Sequence, residues 1–462
     1  MELPTPPARP NLLFVFADEM RGSAMGCAGN TDVRTPALDG LARGGVRFTN
    51  AVANNAVCTP ARGSILTGCW PQTHRALAND LPVDPGAPSI ARALRAKGYR
   101  CGYIGKWHVG GMPRDRFIPP GAERLGFDDF WAAWNCAHRY LRPAYHLNDS
   151  PQPVVHEGRY EPEMQADLAL EWVGSLGLDE PWCLFLSFGP PHEPYRPLPP
   201  GYEGTYDPNA LTLRPNCPDT PEYRQDLADY YTHVTALDDQ VARLLASLEG
   251  RGQLDSTLVV FTSDHGSMIG SHGRENKHSP WEEATVIPLL MRLPGTVPQG
   301  REDDALIGHP DLAPTLLSLM GVAPDRRMEG RDVSRRIRSA EGEGPDSVYL
   351  QAVICADQAA KDGLIEWRGV RTRGATYAAN LRGPWLLYDN EADPYQLRNL
   401  VDEPSAAALR ERMAGELKRW MAETNDRLEA KEVVLERYGL KRVWDERAAT
   451  NRRLRAAGLP RG

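Results

Sequence analysis

Four short apolar runs frame this chain: NLLFVFA at 11–17, YRCGYIG at 99–105, CLFLSF at 183–188 and TLVVFT at 257–262. Each has the length of a strand, and several lack the alternation that one wet face would impose. They therefore read as strands of a parallel sheet covered on both sides. Helical patterns lie between them. PSIARALRAKG carries Pro88 and Ser89 at its start and Gly98 as a stop, with Ile90, Ala93 and Leu94 along one stripe. A longer helix is expected from about Thr220 to Leu248, with Pro221 in its first turn and Leu227, Tyr230, Val234, Leu237, Val241 and Leu244 recurring three and four residues apart. This alternation predicts an α/β fold, with a large, mostly parallel central sheet flanked by helices. The character changes after residue 360. IEWRGVRT and ATYAANL suggest short antiparallel strands, and SAAALRERMAGELKRWMAE an amphipathic helix. The expected division is a main domain over 1–360 and a small C-terminal subdomain of antiparallel sheet plus helix over 361–462. Its charged tail after Asn425 is then available to wrap a neighbouring copy.

Composition narrows the classes of function. A net charge of −8 without a basic block argues against nucleic acid or an anionic membrane as partner. The opening MELPTPPARPNLLFVFADEM has prolines where a signal peptide needs a basic segment, and its apolar run soon meets Asp18. No apolar stretch approaches a membrane span. The reading is a cytoplasmic protein. Eight cysteines, sparse and irregular, with no Cys-x-x-Cys pair, predict neither a disulfide framework nor a zinc site.

The four strands share something that periodicity does not require: each runs straight into polar residues. Asp18-Glu19 follow the first, Lys106-Trp107-His108 the second, His192 the third after SFGPP, and Asp264-His265 the fourth. In open α/β sheets, ligands bind in the crevice at the carboxyl ends of strands. Asp18, Glu19, Asp264 and His265 make an oxygen-rich set with one imidazole, suited to Ca²⁺, Mg²⁺ or Mn²⁺ rather than a thiolate metal. Acids at strand ends also serve as helix caps, but two pairs on separate strands favour a cation. Lys106 and His108 alternate around Trp107, so an extended backbone points both the same way. His192 sits between prolines, where a histidine commonly just orders its loop. Lys277, in GRENKHSPWEE, is ordinarily a surface lysine, and His272 or His278 is an alternative to it. Asn54, Asn55, Trp107, His138, Tyr140, Arg142 and Tyr195 fall where they either line a pocket or merely pack.

Cys58 stands apart from the other cysteines, because Pro60 and Arg62 follow it at fixed steps. CTPAR from Cys58 to Arg62, followed by GSILTG, resembles the signature of the type I sulfatases of the alkaline phosphatase superfamily. FVFADE, GKWHVG, SFGPPHEPY, SDHGSMIGSHG, KHSPWEEATVIPLLMR and LYDNEADPYQLRNL occur in that family's order, so the resemblance runs from about Asn11 to Asn425. It implies an alkaline phosphatase-like fold and hydrolysis of sulfate monoesters to inorganic sulfate and an alcohol. It also implies that Cys58 is oxidised to formylglycine by a maturation enzyme that reads Cys-x-Pro-x-Arg. By the same resemblance, Asp18, Glu19, Asp264 and His265, with the modified residue 58, hold one divalent cation, Ca²⁺ foremost with Mn²⁺ and Mg²⁺ open. Arg62, Lys106, His108, His192 and Lys277 would surround the sulfate. The cation-bound hydrate of the aldehyde would attack sulfur, His192 with Lys277 would serve the leaving oxygen, and His108 would take the proton that lets sulfate depart.

Two positions depart from the family's commonest pattern: Glu19 stands for a second aspartate and His265 for an asparagine. Glutamate's extra methylene alters its reach to the cation, and imidazole softens the site toward Mn²⁺. The substrate's alcohol stays open between carbohydrate, aryl and small alkyl. Two other readings remain beside the sulfatase: a phosphonate monoester or phosphodiester hydrolase of the same superfamily, and a non-catalytic anion-binding protein on this scaffold.

Overall fold

The structure is a computed structural model that describes residues 9–339 and 344–456. Its main sheet has ten strands: β1 (Asn11–Asp18), β2 (Val46–Val52), β3 (Arg100–Lys106), β4 (Phe130–Trp134), β5 (Ala144–Leu147), β6 (Pro153–Val155), β7 (Trp182–Pro191), β8 (Thr257–Ser263), β9 (Leu289–Arg292) and β10 (Arg301–Gly308). They are ordered β10-β2-β9-β8-β1-β7-β3-β4-β5-β6. The central run from β8 through β1, β7 and β3 to β4 is parallel. β9 is inserted antiparallel between β8 and β2, and β5 and β6 finish the other edge antiparallel. The large, mostly parallel sheet expected from the four apolar runs is present, and all four lie in it.

Alternation along β1 explains why those runs are apolar throughout. Leu12, Phe14 and Phe16 enter one core with Ile65, Leu312 and Leu316. Leu13, Val15 and Ala17 enter the opposite core with Leu227, Val234, Leu237 and Val241 of the helix Pro221–Gly250. Both faces of the strand are dry, so neither period nor polarity marks a wet side. At this helix's start, Thr220 accepts from the Tyr223 amide, as an N-cap does. The shorter helix predicted near residue 90 spans Ile90–Arg95.

A second sheet is antiparallel, in the order β11 (Ser347–Ala352), β12 (Trp367–Thr372), β13 (Ala375–Asn380) and β14 (Gly383–Asp389). Its first strand lies ahead of the 361 boundary suggested by the change in composition. SVYLQA is buried at every position and reads like another run of the main domain. The helix Ala407–Glu423 packs on this sheet through Met413, Leu417 and Trp420. Arg368 of β12 and Asp426 pair in the interior, with 3.0 Å between Arg368 Nη2 and Asp426 Oδ1.

Beyond Asn425 the chain does not extend as a tail. The helices Lys431–Arg437 and Lys441–Ala456 fold back, burying Val434, Leu435 and Leu440 against Leu77, Leu81, Val353 and Ile354. The charges mask a few well-spaced apolar residues that suffice to dock the segment on its own chain. Among the described residues no helix is long and apolar enough to cross a membrane. All eight cysteines are free thiols.

Candidate active site

The carboxyl ends of β1, β3, β7 and β8 converge on the start of one helix, Cys58–Thr67. Every residue of that helix is buried, so it carries no amphipathic stripe. Pro60 sits in its first turn, where a missing N–H costs nothing. Gly68 ends it at φ 67°, its N–H closing on Ser64 O. Helix N–H groups and the positive end of the helix dipole thus face the crevice from the side of Cys58.

Cys58 Sγ lies 3.1 Å from His265 Nε2, 3.8 Å from Asp18 Oδ1 and 3.8 Å from Lys106 Nζ. In a matured residue 58, aldehyde or hydrate oxygen would stand where this sulfur stands. Asp18, Cys58, Asp264 and His265 each offer a donor atom, all within 4.8 Å of one another. His265 Nδ1 donates to Gly266 O at 2.9 Å, which turns Nε2 toward that group. Burial opposes a charge on His265, but Asp264 and the Cys58 sulfur raise it to about 9. A cation taking Nε2 therefore displaces a proton. Gly266 is required beside it, since a Cβ there would lie 2.0 Å from Glu283 O.

Arg62 takes a place different from the one expected. Its Nε donates to Asp264 Oδ2 at 2.9 Å and its Nη2 to Asp18 Oδ2 at 3.0 Å, while Nη1 reaches Lys106 O and Ser187 Oγ, each at 2.7 Å. The fork clamps both carboxylates from beneath and does not open toward a ligand. Burial would raise the Asp18 carboxyl, but Lys106, His192 and Arg62 hold it well below the usual carboxylate range. Lys106 Nζ sits 2.5 Å from Asp18 Oδ2.

Glu19 is outside the four-donor group but joins Asp18 and His192 in a second set whose donor atoms lie within 4.8 Å of one another. Its Oε2 accepts from Lys277 Nζ at 2.6 Å and lies 3.1 Å from His192 Nε2, and its Oε1 is buried without a partner. Burial pushes the Glu19 carboxyl up, and Lys277 and His265 pull it back only in part. Glu19 adopts φ 71°, a conformation uncommon for a side chain of its size and costing of order 1 kcal/mol or more. Its backbone N–H is held by Asp264 Oδ1 at 3.1 Å, which fixes that turn. Lys277 also contacts His192 Nε2 at 2.6 Å. His192 Nδ1 donates to Glu193 O at 2.6 Å, leaving Nε2 as the nitrogen that faces the site.

His108 and Lys106 face the crevice while Trp107 turns into the core, edge-on to Tyr103 and Trp131. His108 Nε2 meets Asp80 Oδ1 at 3.1 Å, and Arg114 forks the same carboxylate at 2.8 and 3.1 Å. Asp80 and Arg114 escaped the sequence reading. Neither sits in a strand-end motif, and only the contact of Asp80 with His108 and of Arg114 with Asp80 gives them a place. Among the other candidates, His138 and His278 line the cavity and His272 stacks on Trp281. Asn54 bonds Tyr349 O and the His309 amide, Arg142 bonds Glu157 at the surface, and Tyr140 donates to His192 O.

The cavity above Cys58 holds about 320 Å³. Lys106, His108, His192 and Lys277 form its floor, and Ile354, Ala356, Asp357, Gln358 and Lys361, from the segment after β11, form its outer wall. Arg447, in the last helix, bonds Asn79 O at 3.0 Å and contacts Asp80 and Asp357, so the C-terminal helices brace that wall.

Comparison with known proteins agrees with this geometry. Residues 10–322 match the Sulfatase family, and residues 270–423 match the family described as N-sulphoglucosamine sulphohydrolase, C-terminal. An ulvan-active sulfatase of Formosa agariphila is 35% identical over 94% of this chain and 85% of its own. An endo-4-O-sulfatase of Bacteroides thetaiotaomicron is 28% identical over 85% of this chain and 88% of its own. Among solved structures, yidJ of Bacteroides fragilis superposes with a TM-score of 0.84 at 30% identity, covering 93% of this chain and 98% of that one. The phosphonate monoester hydrolase of Agrobacterium radiobacter, 23% identical with a TM-score of 0.74 over 90% of this chain and 96% of its own, shares the fold. With its cysteine motif at the head of a buried helix and its acids at the ends of β1 and β8, the chain belongs to the sulfatase family.

Proposed function

We propose that the protein hydrolyses sulfate monoesters to inorganic sulfate and an alcohol, using a formylglycine made from Cys58 and one divalent cation. The observation that carries this reading is the position of Cys58 Sγ, which touches a metal-donor set on one side and an ammonium on the other. Two carboxylates and an imidazole within 4.8 Å fit a hard or borderline cation. The orphaned Oε1 of Glu19 supplies a further oxygen nearby. Calcium is our first choice, with manganese favoured by the imidazole. When bound, the cation and aldehyde would supply an oxygen nucleophile of lowered proton affinity.

The chain's own side chains do the rest. Arg62 helps keep Asp18 ionised and holds Asp18 and Asp264 oriented as donors. Lys106 and Lys277 hold the sulfate's negative charge over residue 58, where the low dielectric strengthens each contact. His192, oriented by Glu193 O and in contact with Lys277, serves the leaving oxygen. His108, held by Asp80 and lining the same cavity as residue 58, would receive the proton that must leave for sulfate to depart. A maturation enzyme reading Cys-x-Pro-x-Arg is the partner this requires. The segment 354–361 meets the alcohol half, for which we infer a carbohydrate, in keeping with Asp357, Gln358 and Lys361 in the outer wall and with a relative named N-acetylglucosamine-6-O-sulfatase.

The test is a panel of aryl and carbohydrate sulfates, a phosphonate monoester and a phosphodiester, assayed on aldehyde-containing protein. Sulfate esters are expected to dominate in kcat/KM. A dominant phosphonate rate would move the assignment to the phosphonate monoester hydrolases, and no turnover of any ester would favour a binding protein.

A further inference from the structure

One imidazole in the cavity has no place in the reaction as described so far. His138 lies on the loop between β4 and β5 and lines the cavity beside Lys106 and His192. Its ring stacks on that of His192, with centroids 4.0 Å apart and planes inclined by 8°. Its Nε2 lies 3.1 Å from Lys106 Nζ. An ammonium has donors only, so His138 Nε2 accepts and the proton of the ring sits on Nδ1. Lys106 has three N–H bonds to place: one goes to Asp18, one to His138, and the third is left for residue 58 and whatever anion lies over it. Without His138 the ammonium keeps Asp18 but is free to turn about that contact. Burial and the neighbouring Lys106 keep the ring neutral, well below the usual histidine range, as an acceptor must be.

We propose that His138 is a positioning residue that fixes the Lys106 ammonium toward the sulfate and, through its face, fixes the His192 ring toward the leaving group. The two contacts sit on different parts of one side chain and can be separated. His138→Phe keeps the face and loses the acceptor. His138→Gln keeps an acceptor for Lys106 and loses the face.

The experiment measures inorganic sulfate binding by calorimetry on the metal-loaded protein, and kcat and KM for sulfate esters of good and poor leaving groups, with melting temperature alongside. For His138→Phe, sulfate binding is expected to weaken roughly tenfold, as for one lost contact to a charged group, with KM rising in parallel and kcat within about threefold. For His138→Gln, sulfate binding should stay within about twofold, while kcat falls roughly tenfold for poor leaving groups and little for good ones. Identical profiles for the two variants, values within about twofold of the parent throughout, or losses that only follow a drop in melting temperature would overturn the proposal. The kinetic arm rests on the sulfate-ester reading, whereas the sulfate titration does not. A parent inactive on every sulfate ester sinks that reading, and an active parent with silent substitutions sinks this inference alone.

Discussion

The floor of the cavity and its outer wall are built by opposite means. On the floor and just beneath it, Asp18, Arg62, Lys106, Asp264 and His265 are nearly inaccessible, and each is fixed by at least one charged or backbone partner at hydrogen-bond distance. The wall of Ala356–Lys361 is half-exposed, and no hydrogen bond or ion pair involving the Lys361 side chain is recorded among the described residues. Its support comes from a C-terminal helix far away in sequence. A preorganised, desolvated floor suits chemistry that must be the same for every ester. A wall of few fixed contacts suits recognition of a variable alcohol.

The contrast is broken most severely by losing the residue at its centre. Cys58→Ala should cut kcat/KM by roughly a thousandfold or more, with a nearly unchanged melting temperature, since a buried methyl group replaces a buried side chain of similar size. Activity within tenfold of the parent would show that the floor does not depend on residue 58. Next comes Arg62→Met, which leaves Asp18 and Asp264 buried beside an apolar chain. A loss of about 3–5 kcal/mol of stability is expected in chemical denaturation. Lys361→Ala sharpens the comparison from the other side. It should shift KM by roughly twofold to tenfold between small aryl and larger carbohydrate sulfates, with kcat nearly constant. An equal effect on kcat for all esters would place the wall in the chemistry.

The smallest effect concerns a group behind the floor. Glu161 bonds Tyr145 at 2.8 Å through one oxygen, and its other oxygen is buried without a partner. Burial raises its carboxyl from 4.5 to about 7, against the pull of Tyr145 and Lys106. Between those values the folded chain holds a proton that the unfolded chain has lost, so stability falls as pH rises through that window. Glu161→Gln should therefore melt close to the parent at pH 4.5 and a few degrees above it at pH 8. A difference independent of pH would contradict the assignment.

The same contrast decides what could be read from the sequence. Asp18, Lys106, His108, His192, Asp264 and His265 each lie within a few positions of the end of an apolar strand, where the change from apolar to polar is visible, whereas Lys277 lies well past β8 and was marked only by its motif. Arg62 was visible through its step from Cys58, yet its direction was not, because only the packed helix aims its fork at two carboxylates instead of the cavity. Glu19 stood in the right motif, and its turn at φ 71° sets its carboxylate on Lys277 and beside His192, in a donor set that includes Asp18. Asp80, Arg114 and Arg447 left no local signal. They matter through one shared carboxylate, and that meeting is a property of the tertiary fold. The small sheet began earlier than its composition suggested for a related reason: a fully buried antiparallel strand looks like a core strand of the main sheet.

The central claim is that residue 58 of the working enzyme is an aldehyde standing over the donor set of Asp18, Asp264 and His265. Mass spectrometry of the peptide carrying residues 58–62, from protein made with the maturation enzyme and assayed in the same preparation, tests it most directly. The account predicts aldehyde or its hydrate at residue 58, in a fraction that scales with specific activity. Full activity with an unmodified thiol at residue 58 would contradict it.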